Sequence, residues 1–465
     1  MYGGVEYRDY PDPENVHKLD HGCLPIIHAM QKYGFRVDIP LLQAISSDIQ
    51  LRQAEIINTI PSLIGSYQYT KVVKKTVKSG TSYVTVCEPF NIGSPDHIAQ
   101  LLFKELKVQG DSLVELTPTR KRESTSDDIL EPFTKSHPVV KVILEWRELD
   151  KIRNTYAEPL QQLADSDSRV HTRFNVTVAS TGRLSSSAPN IQNQPTRSEI
   201  GKRIRQAFLS SPGCLLVSAD LSQIEMRWAA HGSSDESMIT VFHEGADIHA
   251  TTACNIFGRD YNDVMSWDQS SPQFKKWKAE ERAPSKNLGF GVLYGLTAPG
   301  LQRNIFNESA GKIDWTEEKC GEFIEKFFNV YPGLRGLIDL QHRRAKRYGM
   351  VWDAFGRSRL VPEGKSCHTR IRNEGLRKAG NHYEQSSAQG TIKLAMAEIH
   401  PVSEELCKDF TCFPLVQVHD QVIFDVSKEI AEDFGWELQR IMQGASPLDV
   451  PVLSSLDIGE RWGEL

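Results

Sequence analysis

The chain has 465 residues, with 54 Lys and Arg against 60 Asp and Glu and a net charge of −6. That length is more than one hydrophobic core accommodates and implies two or three subdomains, while 39% hydrophobic and 25% charged residues describe an ordinary soluble globular protein. The negative balance excludes a uniformly basic wrapper of nucleic acid but leaves local basic patches open. No stretch reaches the roughly 18 apolar residues of a membrane span. The first ten residues lack the basic-then-apolar pattern of a secretion signal, so the expected setting is cytoplasmic, with no membrane. Eight cysteines stand singly, apart from Cys407 and Cys412, without the spacing of a zinc site or a disulfide framework.

In chain order, residues 17–60 read as helical: Leu24, Ile27, Met30 and Tyr33 recur at helical spacing, and a second run covers Leu41 to Ile60. Residues 67–86 are β-branched on both sides of Ser79-Gly80, which predicts a hairpin with a basic first strand. Its lysines suit a solvated edge that resists further pairing, and equally a contact with a DNA backbone. Helices are expected over 95–107 and 138–160. Between them Thr117 to Asp128 reads as an exposed loop with the basic tip Arg120-Lys121-Arg122. Residues 170–232 turn β-rich and irregular, 233–345 are mostly helical, and short strands near 350–352 and 360–361 precede a long helix around 370–408.

Two carboxylate motifs punctuate this order. Leu216-Val217-Ser218-Ala219-Asp220-Leu221-Ser222-Gln223-Ile224-Glu225 places Asp220 past the end of an apolar strand and before a helix. Leu415-Val416-Gln417-Val418-His419-Asp420-Gln421-Val422-Ile423-Phe424 alternates on both sides of His419-Asp420 and resembles a hairpin with an acidic turn. Taken singly, Asp220 also suits a helix cap and Asp420 an ordinary turn. Brought together, the two carboxylates would hold a pair of divalent cations for phosphoryl chemistry, with the Leu221 carbonyl as a neutral ligand.

Three further segments carry chemistry. Arg282, Lys286, Phe290 and Tyr294 are four apart, so on a helix they share one face. Two cations followed by two aromatics suit a triphosphate at one end and a stacked base at the other. The Gly-x-Gly inside that run has neither Rossmann nor phosphate-loop spacing. Thr181-Gly182-Arg183-Leu184-Ser185-Ser186 and Pro189-Asn190-Ile191-Gln192-Asn193 are rich in hydrogen-bonding side chains, as a nucleic-acid track requires. Arg377, Asn381 and Gln385, at i, i+4 and i+8, would line a helix face reaching minor-groove acceptors, which report shape and not sequence.

Together these residues resemble the DNA polymerase I-like, or family A, DNA polymerases over about residues 20–465. Asp220 to Glu225, Arg282 to Gly295 and Gln417 to Asp420 look like that family's three motifs in order. Asp247-Ile248-His249 and the closing Asp457-Ile458-Gly459-Glu460-Arg461-Trp462-Gly463 fit as well. The resemblance implies an α+β right-hand polymerase fold with an antiparallel-sheet palm, helical fingers and a helical thumb. It divides the chain into an N-terminal helical part of the palm (1–60), thumb with the hairpin (61–168), palm (169–232), fingers (233–345) and palm (346–465). Asp220 and Asp420 would be catalytic and, with Leu221, hold two Mg²⁺, with Mn²⁺ a possible substitute; one metal activates the primer 3′-OH and the other neutralises pyrophosphate. Gln223, Glu225, His249, Arg282, Lys286, Phe290 and Tyr294 would bind the incoming dNTP, Glu225 by excluding a ribose 2′-OH. Arg183, Asn190, Gln192, Arg377, Asn381, Gln385 and His419 would contact primer–template DNA.

The implied protein is a monomeric DNA polymerase of replication or repair, in a bacterial or phage-infected host cytoplasm, with replisome proteins or a separate exonuclease as further partners. Nothing before residue 20 is long enough for the exonuclease domain common upstream in the family, so no proofreading of its own is expected. The sequence departs from the family at Gln421, where a Glu is usual, at Pro284 and Gly289 within the fingers helix, and at the hairpin, which looks inserted. The alternatives are a single-subunit RNA polymerase, against which Glu225 argues, and a catalytically silent primer–template binding protein, motivated by Gln421.

Overall fold

The computed structural model describes residues 9–77, 80–108, 123–195, 198–309 and 311–465. Two short helices, α1 (Pro13–Gly22) and α2 (Leu24–Tyr33), open the described chain, each with a proline in its first turn, where the missing N–H costs no helical bond. They belong to the larger of two compact units, with His171–Asn193 and Leu209–Leu465. The smaller unit comprises Val37–Val170 and Gln194–Phe208.

The smaller unit is organised by α3 (Ile39–Ile64), which Asp38 caps by accepting from the Leu41 N–H at 3.0 Å. Leu42, Ile45, Ile49 and Ile56 are buried along one stripe of it. From it the chain enters a hairpin, β1 (Gln68–Val77) paired antiparallel with β2 (Gly80–Pro89), as the sequence predicts. Helix α4 (Pro138–Ile152) then packs on α3, with Arg52 Nε donating to Glu145 at 2.7 Å and Gln53 to Asp150 at 3.4 Å. This shared core is why the compact unit begins at Val37 and not at 61, where the sequence reading divides the chain. The helix Glu199–Gln206, inside the stretch read as irregular and β-rich, also joins this unit. Of the expected basic loop, the tip Arg120-Lys121-Arg122 lies outside the described residues.

The larger unit is built on a four-stranded sheet. β3 (Cys214–Leu221) runs into α5 (Ile224–Ser233). Helices α6 (Ile248–Phe257) and α7 (Ala283–Leu293) follow within the helical region, and α8 (Thr369–Gly380) and α9 (His382–Leu406) occupy the stretch expected to be one long helix. β4 (Cys412–Val418) and β5 (Gln421–Ser427) form the hairpin expected around His419-Asp420, then α10 (Ala431–Gly444) and β6 (Ser454–Gly459) complete the unit. The sheet order is β4-β5-β3-β6, all antiparallel, so the first-motif strand lies centrally between the second motif and the C-terminal strand.

Side chains of β3 alternate. Val217 and Ala219 face α10, where Gly435 lets the helix approach: a Cβ there would lie 3.4 Å from Val217 and 2.9 Å from Leu456. Ser218 and Asp220 therefore lie on the opposite face. Helix α5 is locked by Trp228, fully buried, whose indole N–H donates to Thr391 of α9 at 3.0 Å. Gly232 on α5 approaches Tyr383 so closely that a Cβ would sit 2.2 Å from its ring.

Beneath the Gly182-Arg183 turn is a buried ion cluster. Asp20 of α1 accepts from Arg357 at 2.5 and 3.1 Å and from Lys393 of α9 at 2.6 Å, and Lys393 is 1% exposed. Arg357 packs directly under Gly182, where a Cβ would lie 2.5 Å from its Nε. Removing one partner of such a cluster leaves charge buried without compensation, at about 3–5 kcal/mol. Asp20→Ala is therefore expected to lower the unfolding free energy by about that amount in urea titration; a loss under about 1 kcal/mol would show that Lys393 reaches water in the variant.

Candidate active site

The register of the sheet fixes the two acidic motifs. Asp220 lies within β3, not past it, and stands directly opposite Gln421 of β5. The strand runs further than its apolar residues because Asp220 and Leu221 keep ladder partners on β6. Leu221 N–H donates to the Asp420 carbonyl at 3.0 Å, so the two aspartates sit on neighbouring strand ends, one step apart. The residue before α5 is not Asp220 but Gln223, left-handed at φ +54°. His419 in the β4–β5 turn is also left-handed, at φ +53°. Residues other than glycine adopt this conformation at an energetic cost, and such positions concentrate at functional sites.

Burial is the main cause that pushes the Asp420 carboxyl up to about 7; Glu225 and Asp220 add to it, and Arg183 works against it. The buried Gln389 side chain points its amide at the Asp420 carboxylate (3.5 Å) and the His419 carbonyl (3.4 Å). Gln421 turns away: its amide donates to Ser218, itself fully buried, at 2.7 Å. Among the described residues no three or more His, Cys, Asp or Glu side chains cluster to hold a metal alone. Two carboxylates on neighbouring strand ends are a fit for Mg²⁺, which commonly takes one or two carboxylates and completes its shell with water and substrate phosphates.

Beside these acids, Glu225 accepts from Arg183 at 2.7 Å and from the Tyr294 hydroxyl at 2.9 Å, and Gln385 approaches Tyr294 at 3.5 Å. Residues from four separate segments thus meet around one carboxylate. Burial and the Glu225 charge push Tyr294 up to about 12. Next to them Glu384 is 1% exposed, and neither of its carboxyl oxygens has a hydrogen-bond partner in another residue. Burial first, then Glu225, raises Glu384 to about 8.

Arg282, Lys286, Phe290 and Tyr294 share a face as expected. Pro284 does not disturb it, because a π-helical turn, Lys278–Arg282, leads into α7 with Arg282 already helical at φ −68°, ψ −42°. Arg282 is held by Asp247, its Nε 3.1 Å from the carboxylate, and Lys286 is exposed one turn on. Asp247 also caps α6 and thereby places His249, which is buried against Phe290 with ring centroids 5.0 Å apart. Burial, with Arg282 and Lys286 acting the same way against Asp247, lowers His249 to about 4, so it is neutral near neutral pH. Gly289 faces this ring; a Cβ there would stand 3.5 Å from its Nδ1.

The expected long helix at 370–408 breaks between Gly380 and His382, yet Asn381 N–H bonds Arg377 (3.3 Å) and Gln385 N–H bonds Asn381 (3.4 Å), so the four-residue spacing passes through the join. Arg377 packs against Gly295 at the end of the α7 segment. Gln192 donates to the Gln417 carbonyl at 3.0 Å, tying the polar track to the second motif, whereas the Asn190 carboxamide oxygen is turned inward to the N–H groups of Gln192 and Asn193. Sequence reading missed Gln389, although it extends the 377, 381, 385 spacing by one more step. It quoted Asp247 and Gln417 within motifs without giving either a role, and it missed Glu384; all three roles arise from tertiary placement.

Glu384 gives a pH dependence. Its folded value, about 8, exceeds its ordinary 4.5, so the folded state holds the extra proton and stability falls as pH rises between those values. Glu384→Gln, which cannot ionise, is expected to gain stability relative to wild type from about pH 5 to about pH 9 in parallel thermal melts. A difference that does not change with pH would contradict the buried neutral carboxyl.

The comparisons with known proteins agree with this geometry. The model of DNA polymerase family A matches residues 66–464. The thermostable DNA polymerase I of Thermus thermophilus is 35% identical over 438 residues, covering 94% of this chain and 47% of the relative. DNA polymerase I of Deinococcus radiodurans is 33% identical over 439 residues, covering 94% and 41%. The chain thus spans about half the length of the curated relatives it matches. Among solved structures, the POL domain of Pol1 from M. smegmatis, in complex with DNA primer-template and dNTP, aligns at a TM-score of 0.80 with 28% identity, covering 97% of this chain and 73% of that one. The fold is accordingly the right-hand polymerase fold, with the antiparallel sheet as its palm. No helix among the described residues is long and apolar enough to cross a membrane. This chain belongs to DNA polymerase family A.

Proposed function

We propose that the chain is a template-directed DNA polymerase that adds deoxynucleotides to a primer 3′ end, with primer–template DNA and dNTPs as its partners. The observation that carries this reading is the β3–β5 register, which sets Asp220 and Asp420 on adjacent strand ends. Asp220, Asp420 and the Leu221 carbonyl would hold two Mg²⁺, or Mn²⁺ in their place. When bound, these ions supply Lewis acidity, lowering the pKa of the attacking hydroxyl and neutralising the departing pyrophosphate.

The chain's own residues do the rest. Arg282 and Lys286 present two cations on one helix face to the triphosphate, and Asp247 keeps Arg282 in place until a phosphate competes for it. His249, neutral and with its Nε2 unpartnered, offers a hydrogen bond and not a charge. Phe290 offers a face to the base and sugar. Glu225, fixed between Arg183 and Tyr294, presents a rigid wall to the sugar 2′ position. Gln223 flanks the nucleotide from the left-handed turn before α5. Arg183, Asn190, Gln192, Arg377, Asn381, Gln385 and His419 line the duplex track. Residues 1–60, 169–232 and 346–465 serve as palm, 233–345 as fingers and 61–168 as thumb, in a bacterial or phage-infected host cytoplasm.

Primer extension tests the reading. Wild-type protein extends a primer with dNTPs and Mg²⁺, and Asp220→Asn and Asp420→Asn each lose about 10³-fold or more, some 4 kcal/mol of transition-state stabilisation, while retaining duplex affinity. Variants that extend at the wild-type rate would sink the metal assignment. Glu225→Ala is expected to narrow discrimination against ribonucleotides by about 10–100-fold, the scale of a steric contact. Efficient RNA synthesis by the wild type with NTPs alone would instead identify an RNA polymerase.

A further inference from the structure

The turn that carries Asp420 is held by glutamines, which bring hydrogen bonds and no charge. The His419 carbonyl, inside the left-handed turn, accepts from the Gln417 amide two residues back and from the Gln389 amide of α9 at 3.4 Å. Gln192 donates to the Gln417 carboxamide oxygen at 3.2 Å and so keeps Gln417 aimed at the turn. Gln389 itself is 2% exposed. Among the described residues its amide nitrogen has two acceptors, the His419 carbonyl and Asp420 Oδ1 at 3.5 Å. A buried amide needs acceptors, and this one finds them at the acidic turn. The seat of Gln389 is rigid. Gly390 beside it lies against Phe355, where a Cβ would stand 2.2 Å from the ring. Thr391 accepts from the Trp228 indole at 3.0 Å and pairs with the Ser446 hydroxyl at 2.9 Å.

An aspartate carboxylate turns easily, because its last torsion has a broad, two-fold profile. A carboxylate that holds cations must nevertheless present its lone pairs in one direction. Among the described residues, Gln389 is the side chain that donates to the Asp420 carboxylate. It meets Oδ1 and leaves Oδ2 for a cation. Both of its contacts are long, since one NH₂ group serves two oxygens, so the amide steers the carboxylate and leaves its charge in place. The residue type matters for the same reason. A lysine or arginine in this seat would cancel the charge that a cation requires, whereas a carboxamide supplies donors alone. Gln421, the neighbouring amide, does not duplicate this contact, because it is committed to Ser218 at 2.7 Å.

We propose that Gln389 is a positioning residue of the cation site, whose amide sets the rotation of the Asp420 carboxylate from the rigid helix behind it. The inference rests on the reading that Asp220 and Asp420 hold divalent cations, and it adds a residue to that site. The test replaces Gln389 by Met, which has nearly its length and volume but no donor, with Gln389→Leu as a second donor-free variant. Mn²⁺ affinity is read without catalysis, from the free-ion signal in electron paramagnetic resonance, and duplex binding and primer extension are measured alongside. Loss of an outer partner of a metal ligand typically costs about 10–100-fold in metal affinity, so the Kd for Mn²⁺ should rise about tenfold or more in both variants. The kcat should fall with it, while KM for dNTP and the duplex Kd change by less than about twofold. Wild-type Mn²⁺ affinity in either variant overturns the inference. So does a weakened affinity matched by an equal loss of duplex binding, which would mark a role in folding alone. Asp420→Asn tests the underlying reading separately: if that variant binds Mn²⁺ as wild type does, the cation site itself is misassigned.

Discussion

Everything at the site depends on the antiparallel pairing of Cys214–Leu221 with Gln421–Ser427. Side chains on a strand alternate, so a slip of one residue would turn Asp220 from the open face toward the helix Ala431–Gly444, burying a carboxylate, and would turn Val217 out of the core. The cost of that error enforces the register. Once β3 is set, the turn through Gln223 aims Ile224–Ser233 back across the site, and Trp228 fixes it to the helix that carries Gln385 and Gln389. Arg227 completes the join by donating to the Ser222 carbonyl at 2.8 Å, and Ser222 N–H to Leu453 at 2.8 Å.

The same arrangement concentrates negative charge. Asp420 lies within electrostatic reach of Glu225 and Asp220, Glu384 within reach of Glu225, and Arg183 is the cation set against Asp420 and Glu225. Glu384 relieves part of the repulsion by staying protonated near neutral pH. The rest is repulsion that a divalent cation would remove, so binding strength and folding stability are linked at this position. Gln421 fits that balance: its amide spends itself on Ser218 and spares the site a further charge. Its neutrality adds no charge opposite Asp220, which it faces across the strand pair.

Much of this was legible in the sequence, for physical reasons. The strand Cys412–Val418, the turn at His419-Asp420 and the return strand were readable because both strands alternate around a two-residue turn. The face of Arg282, Lys286, Phe290 and Tyr294 was readable because spacing alone sets a helix face. Asp220 was placed one element too late because local polarity ends an apolar pattern before the backbone ladder ends. The break at Asn381 left no clear mark, since Gly380 lowers helix propensity without forbidding it. Glu384 was invisible: in a helix first turn it looks like a dipole-favoured surface acid, and only the packing of two helices buries it. The pairing of Arg282 with Asp247 joins residues 35 apart, which no local pattern encodes.

The central claim is that Asp220 and Asp420 together hold divalent cations. Fe²⁺ substituted for Mg²⁺ in the presence of ascorbate and peroxide cuts the backbone beside the bound ion, and the cut positions can be read by mass spectrometry. The account predicts cleavage confined to residues near 220 and 420, suppressed by excess Mg²⁺ and lost in Asp420→Asn. Cleavage elsewhere, or cleavage at these positions that persists unchanged in Asp420→Asn, would contradict it.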